Sequence, residues 1–113
     1  MNKRVLIITD NNSDRHLISR ILATNGYKDI SFAQNGKQGM AMVSINNADV
    51  VVVDANLADM RGFEVCRQIK AMKKFKGKII LITGIIDDAA RESQADAFIA
   101  KSNNYNSLID VII

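Results

Sequence analysis

Short apolar runs alternate with segments of helical periodicity from one end of the 113-residue chain to the other. The runs at residues 4–9, 49–54 and 78–83 are nearly continuous and rich in β-branched residues, which is typical of strands covered on both faces. Between the runs, apolar residues recur at helical spacing, as in residues 17–22. This alternation predicts repeated β-α units built around a parallel sheet.

The pattern predicts five strands and five helices, with no linker or repeat between them. The predicted strands are residues 4–9, 30–33, 49–54, 78–83 and 97–100, and the predicted helices are residues 14–24, 37–45, 62–74, 88–94 and 106–112. Asn12 or Ser13 is expected to cap the first helix and Asn35 the second. Gly26 is expected to end the first helix.

The chain is long enough for one hydrophobic core and too short for two, so residues 1–113 are predicted to be a single domain. Its composition, 48% hydrophobic and 24% charged, is that of a chain that folds by itself. Five β-α units and right-handed crossovers favour a doubly wound α/β fold, a parallel sheet of order 2-1-3-4-5 with helices on both faces. In such a sheet the functional crevice lies beyond the carboxyl ends of the first and third strands.

Cysteine content, hydropathy and charge limit the compartment and the partners that are expected for the chain. Cys66 is the only cysteine and the N-terminus lacks a signal-peptide pattern, so a reducing cytoplasm is expected. No apolar run approaches the roughly 20 residues that span a bilayer, so no membrane partner is expected.

The net charge of +3 comes with a basic segment at residues 67–78. Because no aromatic residues are interleaved there, a solvated helix face is favoured over a nucleic-acid partner.

Chemically distinctive residues stand at the carboxyl ends of the predicted strands. Asp10 follows the first strand, Asp54 ends the third, Thr83 ends the fourth and Lys101 follows the fifth. The predicted order places the strands that carry the two aspartates about 4.8 Å apart. Two carboxylates at such a separation repel each other, so a divalent cation and Lys101 are expected beside them.

This set of groups fits magnesium-assisted phosphoryl transfer. Mg²⁺ prefers oxygen ligands, and Asp10, Asp54 and the backbone near Asn56 could supply them. A carboxylate beside such a cation can accept a phosphoryl group, and Asp54 is the predicted nucleophile. Thr83 could donate its hydroxyl to one phosphoryl oxygen while Lys101 pairs with another.

Four segments give the chain a resemblance to a known family over nearly its whole length. They are RVLIITDNNSDRHLI, ADVVVVDANLADMRGFEVCRQIK, IILITG and DAFIAKS. Together they resemble the receiver domains of response regulators, which are chemotaxis-regulator-like and have a flavodoxin-like fold. The resemblance implies a phosphorelay signalling domain rather than an enzyme, with a histidine kinase or phosphotransfer protein as phosphate donor and an unknown output partner or domain.

The resemblance also implies a role for each matching residue. Asp54 would accept the phosphoryl group, and Mg²⁺ would be bound by Asp10, Asp54 and the main-chain carbonyl of Asn56. Lys101 would contact the phosphate. The remaining matches are Thr83 as the switch hydroxyl, Phe98 as the rotating switch aromatic and Gly62 as the turn into the third helix. Taken alone, Thr83 also fits a buried threonine bonded to a neighbouring backbone group, and Phe98 a core residue.

The sequence departs from the family pattern at several positions. Thr9 stands where the family usually has an acidic residue, so the acidic pocket is degenerate and weaker Mg²⁺ binding is expected. Ala58 and Ser102 stand where prolines are common. The interval between Thr83 and Lys101 is short for the family, which predicts a small fourth helix.

These departures leave a second function open, that of a pseudo-receiver that binds a protein partner without taking phosphate. Two further interpretations are remote. An aspartyl-phosphate hydrolase would need a second acid two residues after Asp54, where Asn56 stands. A flavodoxin-like cofactor site would need glycine or hydroxyl residues in the loop after the first strand, and TDNNSD lacks such a run.

Overall fold

The computed structural model describes residues 3–101, 105 and 107–112, and within them strands and helices alternate along the chain. The strands are β1 (Arg4–Ile8), β2 (Asp29–Ala33), β3 (Val50–Asp54), β4 (Lys78–Thr83) and β5 (Ala97–Ala100). The helices are α1 (Asn12–Thr24), α2 (Gly36–Asn46), α3 (Gly62–Ala71), α4 (Asp88–Glu92) and α5 (Leu108–Ile112). The β-α alternation predicted from hydrophobic periodicity is confirmed.

All five strands pair in parallel in one sheet, in the order β2-β1-β3-β4-β5. The predicted doubly wound α/β fold is therefore confirmed. In the observed register Ile8 of β1 lies opposite Val53 of β3, and Asp54 lies opposite Ile82 of β4. The carboxyl ends of β1, β3 and β4 consequently meet at one edge of the sheet.

The core lies on both faces of the sheet, and every residue of β3 is buried. Helices α1 and α5 cover one face, where their buried members are Ile18, Leu22, Leu108 and Ile112. Helices α2, α3 and α4 cover the other, where theirs are Val43, Val65, Cys66, Ile69 and Ala90. A continuous run of valines suits β3 because side chains on both of its faces are removed from water.

The helix starts differ slightly from the predictions. Helix α1 begins at Asn12, and its cap is Asn11 rather than Asn12 or Ser13, because the Asn11 side chain accepts the Asp14 N–H at 2.9 Å. Asn35 caps α2 as predicted, accepting the Gln38 N–H at 2.8 Å. Gly26, with φ of 91°, follows the end of α1 in the left-handed region that glycine adopts without strain.

Two helices end earlier than predicted. Helix α3 ends at Ala71 instead of residue 74, because Met72 takes an extended backbone conformation with ψ of 120°. Helix α4 is short, as predicted, but ends at Glu92, and Gln94 beyond it has φ of 68°. Asp87 caps α4 by accepting the Ala90 N–H at 3.1 Å.

A few predictions fall outside the described residues. These concern Ser102, in place of a proline, and Asn106, the predicted start of the last helix, which within the described residues begins at Leu108. Among the helices described, none is long and apolar enough to span a membrane.

Candidate functional site

Asp54 lies at the carboxyl end of the central strand, where β1 and β4 flank β3. Its side chain is 1% exposed. The start of α3 packs directly on its backbone: a Cβ placed on Gly62 would overlap the Asp54 carbonyl oxygen, and the Gly62 N–H donates to Ala55 O at 3.0 Å. Glycine is therefore required at position 62 for the close approach of α3 to the end of β3.

Three donors surround the Asp54 carboxylate. Thr9 donates its hydroxyl to Oδ2 at 2.8 Å, and the Asn56 N–H donates to Oδ1 at 2.9 Å. The Lys101 ammonium lies 2.8 Å from the same Oδ1. Because an ionised carboxylate can accept about four hydrogen bonds, one acceptor position of Oδ2 is left over by these contacts. The buried negative charge is thus compensated, and its surface is covered by Thr9 and Lys101.

Lys101 links Asp54 to a second carboxylate on α1. Its ammonium lies 3.6 Å from Asp14 Oδ2, and the other oxygen of Asp14 accepts a hydrogen bond from Tyr105 Oη at 2.7 Å. Burial alone would lower the pKa of Lys101, but Asp54 and then Asp14 outweigh it and the pKa is raised. The pKa of Tyr105 is raised by burial and by the neighbouring Asp14 carboxylate. Both side chains therefore keep their protons at neutral pH.

Asp10 lies beside this cluster but is exposed. It lines an open cleft with Thr9, Asn35, Ala58 and Asp59, and Asp54 is not among the residues that form its wall. The structure thus places Asp10 at the same edge of the sheet, one residue beyond the threonine that contacts Asp54.

Asp59 fixes the outer wall of the cleft. Its two carboxylate oxygens accept the N–H groups of Gly36 and Lys37 at 2.8 and 3.0 Å, at the start of α2. These hydrogen bonds lower the pKa of Asp59. The loop between β3 and α3 is consequently tied to α2.

Thr83 is buried at the end of β4, but its hydroxyl is directed to its own loop. Thr83 Oγ1 donates to the Ile85 carbonyl at 3.0 Å, which is the backbone-bonded arrangement that the sequence left open. The Ile85 side chain is 70% exposed and that of Ile86 is 38% exposed. The loop that follows β4 is therefore fixed by one threonine hydroxyl and presents two apolar side chains to solvent.

Phe98 lies on β5 opposite Leu81 and is partly buried. It packs against the core cluster of the face that α2, α3 and α4 cover. Phe98 is thus a peripheral core residue on the face of the sheet to which Ala90 of α4 also contributes.

The side chains at this edge of the sheet offer oxygen donors, which Mg²⁺ prefers. Among the described residues no three His, Cys, Asp or Glu side chains cluster in a way that could hold a metal ion. Asp10 follows β1 and Asp54 ends β3 at the same edge of the sheet, and Asn56 is held beside Asp54 by its N–H. Mg²⁺ often binds to one or two carboxylates while keeping several waters. The residues present fit such an ion, with fewer charges than a three-carboxylate pocket offers.

Sequence reasoning missed two members of the cluster. Asp14 was assigned to the start of α1 and Tyr105 was given no role, yet the structure joins them to Lys101. The sequence does not predict a direct contact between Thr9 and Asp54, yet the Thr9 hydroxyl donates to Asp54 Oδ2. A buried tyrosine needs a hydrogen-bond partner, and this was the one available signal for Tyr105.

The basic segment is partly engaged within the chain. Lys70 forms an ion pair with Asp96 at 2.7 Å, Arg67 donates to the Glu92 carbonyl at 3.2 Å, and Lys78 donates to the Val111 carbonyl at 2.7 Å. Part of the positive charge of the segment is therefore used in contacts within the chain.

A family model described as the response regulator receiver domain matches residues 5–113. Response regulator MprA of Mycobacterium sp. (strain KMS) is 34% identical over 71 residues, which is 63% of this chain and 30% of that protein. Transcriptional regulatory protein YvrH of Bacillus subtilis (strain 168) is 30% identical over 107 residues, 91% of this chain and 44% of that protein. The chain thus spans less than half the length of these curated relatives.

Solved structures agree in fold. The chemotaxis response regulator CheY4 of Vibrio cholerae superposes with a TM-score of 0.87 at 21% identity, over 100% of both chains. Response regulator protein TrrA of Thermotoga maritima, solved in complex with Mg²⁺-BeF, superposes with a TM-score of 0.84 at 31% identity, over 97% of this chain and 96% of that one.

Proposed function

The chain belongs to the response regulator receiver domain family, and on this premise we propose that Asp54 accepts a phosphoryl group from a histidine kinase or phosphotransfer protein of the cytoplasm. Domains of this family are signalling modules of two-component systems. The observation that carries the proposal is the Asp54 carboxylate at the carboxyl end of the central strand, 2.8 Å from the Lys101 ammonium. A nucleophile and a cation for the incoming charge are thereby held together.

The transfer needs little covalent help from the protein. An Asp54 oxygen forms a bond to phosphorus as the phosphorus–nitrogen bond of a phosphohistidine breaks, and the electron pair stays on the imidazole, which then takes a proton from solvent. Lys101 neutralises charge on the phosphoryl oxygens as a point charge. The chain's contribution is positioning and electrostatics.

The covered state of Asp54 means that one of its neighbours has to move before reaction. Thr9 follows β1 and is buried, whereas the Lys101 side chain is 25% exposed on a flexible stem. We assign the movement to Lys101, which withdraws from Oδ1 and then contacts a phosphoryl oxygen.

Mg²⁺ at this site would be held by Asp10, Asp54 and the Asn56 carbonyl, and would supply neutralisation of the phosphoryl oxygens when bound. TrrA of Thermotoga maritima, at 31% identity, was solved with Mg²⁺ and a beryllium fluoride. Because Thr9 contributes a neutral hydroxyl where the family usually carries an acid, we propose that this chain binds Mg²⁺ more weakly than its relatives.

The hydrogen bond between Thr83 and Ile85 supplies a switch. A phosphoryl group on Asp54 attracts the Thr83 hydroxyl, which then leaves the Ile85 carbonyl and frees the loop after β4. Phe98, on the same face of the sheet as α4, repacks in response. A preference of about 3 kcal/mol for the second arrangement changes the ratio of the two states by more than a hundredfold.

The outcome is a changed surface around the exposed Ile85 and Ile86 for an output partner or domain. The relatives MprA and YvrH are more than twice as long as their matched regions. An output domain, on the same chain or on another, is the kind of partner that we propose for this surface.

Acetyl phosphate labelling tests the proposal. With Mg²⁺ present, the intact mass of the wild-type chain is expected to increase by one phosphoryl group, and that of Asp54→Asn is expected to stay unchanged. Asp29→Asn, which changes an exposed carboxylate on the edge strand β2, serves as the matched control and is expected to label like the wild type. An unlabelled wild type, or a labelled Asp54→Asn, contradicts the proposal.

A second measurement separates the phospho-switch from a pseudo-receiver. Amide NMR spectra with and without Mg²⁺ and beryllofluoride are expected to change at Thr83, Ile85 and Phe98. Unchanged spectra favour a phosphorylation-independent interaction module.

A further inference from the structure

Four polar side chains that are far apart in sequence form a continuous series of contacts. Tyr105 Oη donates to Asp14 Oδ1 at 2.7 Å, and the Lys101 ammonium lies 3.6 Å from Asp14 Oδ2 and 2.8 Å from Asp54 Oδ1. Asp14 lies in the first turn of α1, Asp54 ends β3, and Lys101 follows β5. The series therefore links helix α1 and the segment before α5 to the proposed phosphoacceptor.

Tyr105 is placed at some conformational cost. The residue is 1% exposed, and its backbone has φ of 60°, in the left-handed region that side-chain-bearing residues rarely adopt. A buried tyrosine hydroxyl needs a partner, and Asp14 supplies it. The chain thus holds a strained, buried tyrosine whose hydroxyl orients one specific carboxylate.

Asp14 differs from an ordinary surface partner of a lysine. Its side chain is 19% exposed and that of Lys101 is 25% exposed. By comparison, Asp88 and Arg91 form an ion pair of similar length, 3.7 Å, whose side chains are 97% and 64% exposed. The Asp14 pair is partly withdrawn from water and is anchored from behind by Tyr105, so it is screened less than an exposed pair.

Asp54 and Lys101 differ in the number of other partners that each has at the site. Asp54 keeps two other donors, Thr9 and Asn56, when the lysine moves. Within the described residues the ammonium of Lys101 has only the carboxylates of Asp54 and Asp14 as anionic neighbours. When Lys101 leaves Oδ1 to make way for a phosphoryl group, Asp14 is the group that keeps it at the site.

We propose that Asp14, oriented by the Tyr105 hydroxyl, is a positioning residue that holds Lys101 at the phosphorylation site. The proposal rests on the function proposed above for Asp54 and Lys101. Asp14 itself touches neither the acceptor carboxylate nor the incoming group, so its removal should displace Lys101 while the nucleophile stays in place.

The first test observes Lys101 without any phosphorylation. Lysine ammonium groups held by hydrogen bonds and ion pairs exchange slowly enough to give ¹⁵N-correlated NMR signals in the cold, and Lys101→Arg identifies the signal by its loss. In Asp14→Asn the Lys101 signal is expected to broaden or disappear. Tyr105→Phe, which removes only the hydroxyl from the buried ring, is expected to weaken it.

The second test measures the rate of acetyl phosphate labelling at saturating Mg²⁺. We expect Asp14→Asn to label roughly tenfold more slowly, because small displacements of a charge-neutralising group weaken transition-state stabilisation strongly. Tyr105→Phe is expected to lie between Asp14→Asn and the wild type. Asp110→Asn, which makes the same charge change at an exposed position of α5, is the matched control and should leave both readouts unchanged.

The two tests distinguish a failure of the proposed function from a failure of the inference about Asp14. A wild type that takes no label refutes the proposed function, and the ammonium signal still decides whether Asp14 positions Lys101. A wild type that labels, with Asp14→Asn and Tyr105→Phe at the wild-type rate and an unchanged Lys101 signal, overturns the inference. Slower labelling in both variants together with loss of the signal supports it.

Discussion

At the scale of single residues, the feature that defines this site is a threonine where an acid is usual. Thr9 donates its hydroxyl to Asp54 Oδ2, so the position that would otherwise bring a third carboxylate instead satisfies the buried one. A buried carboxylate that lost this donor would be destabilised by about 1–3 kcal/mol. Thr9 therefore stabilises the metal-free site, and its lack of charge reduces the attraction of the site for a cation.

Thr9→Asp is expected to raise the affinity for Mg²⁺ roughly tenfold, because a third carboxylate, added to those of Asp10 and Asp54, increases the attraction for a divalent ion. The same change is expected to lower the free energy of unfolding without Mg²⁺, since two like charges then share a buried site. Calorimetric titration with Mg²⁺ and denaturant unfolding measure the two effects. Thr9→Asn, which has the same shape without the charge, is the control, and equal Mg²⁺ affinity in both variants would contradict the prediction.

At the scale of secondary-structure elements, the close approach of α3 to the end of β3 determines where Asp54 is held. The start of α3 leaves no room for a side chain at Gly62, because the nearest atoms belong to the backbone of Asp54 and Ala55. Backbone atoms cannot move aside as the end of a flexible side chain can. The position of the acceptor thus depends on an element that follows it in sequence.

Gly62→Ala is expected to lower the free energy of unfolding by about 1–3 kcal/mol, because the added methyl group forces α3 away from β3. It should also slow acetyl phosphate labelling by displacing Asp54. Denaturant unfolding followed by circular dichroism measures the first effect. Gly84→Ala, at a glycine whose Cβ would meet no atom within 4 Å, is the matched control, and an equal loss of stability in both variants would refute this reasoning.

The elements themselves were readily predicted, because β-branched runs and helical spacing report burial directly. Strand order followed from the number of β-α units and from the handedness of their crossovers. The ends of α3 and α4 were not predictable, since they depend on single backbone angles at Met72 and Gln94. The cap of α2, Asn35, was predicted, and the cap of α1 is Asn11 rather than Asn12 or Ser13, because asparagine favours cap positions for local reasons that do not separate neighbouring candidates.

At the scale of the whole molecule, the sheet brings together groups that no local pattern connects. The residues at strand ends were predicted, because parallel strands end at the same edge. The contact between Asp14 and Tyr105 joins residues 91 positions apart, and the direction of the Thr83 hydroxyl depends on the path of the loop after it. The sequence indicates at most that each hydroxyl needs a hydrogen-bond partner, and it does not identify that partner.

Acid stability of the molecule depends in part on Asp96, which ties α3 to β4. Its carboxylate pairs with Lys70 at 2.7 Å and accepts the Ile79 N–H at 2.8 Å. Burial raises its pKa, but Lys70 and the Ile79 N–H outweigh burial and bring the pKa below its ordinary value of 3.8. A depressed pKa in the folded state gives a stabilisation that is fully present above pH 3.8 and is lost as the pH falls through the folded-state pKa.

Asp96→Asn is therefore expected to be less stable than the wild type at neutral pH, and the difference is expected to narrow as the pH falls below about 4. Thermal unfolding between pH 2.5 and 7 measures this. Asp88→Asn, in a largely exposed ion pair with Arg91, should show a small and nearly constant difference. A difference in stability between Asp96→Asn and the wild type that widens as the pH falls would contradict a lowered pKa for Asp96.

The near-complete shielding of the Asp54 side chain, 1% exposed, also bears on how long a signal lasts. An acyl phosphate is lost when a water molecule attacks phosphorus in line with the bond to the aspartate oxygen. Side chains that wall off the carboxylate before reaction restrict the same approach afterwards. When Lys101 covers the phosphorylated residue again, both phosphorylation and hydrolysis of the acyl phosphate are expected to be slow. The phosphorylated state should then persist long after the phosphate donor has gone.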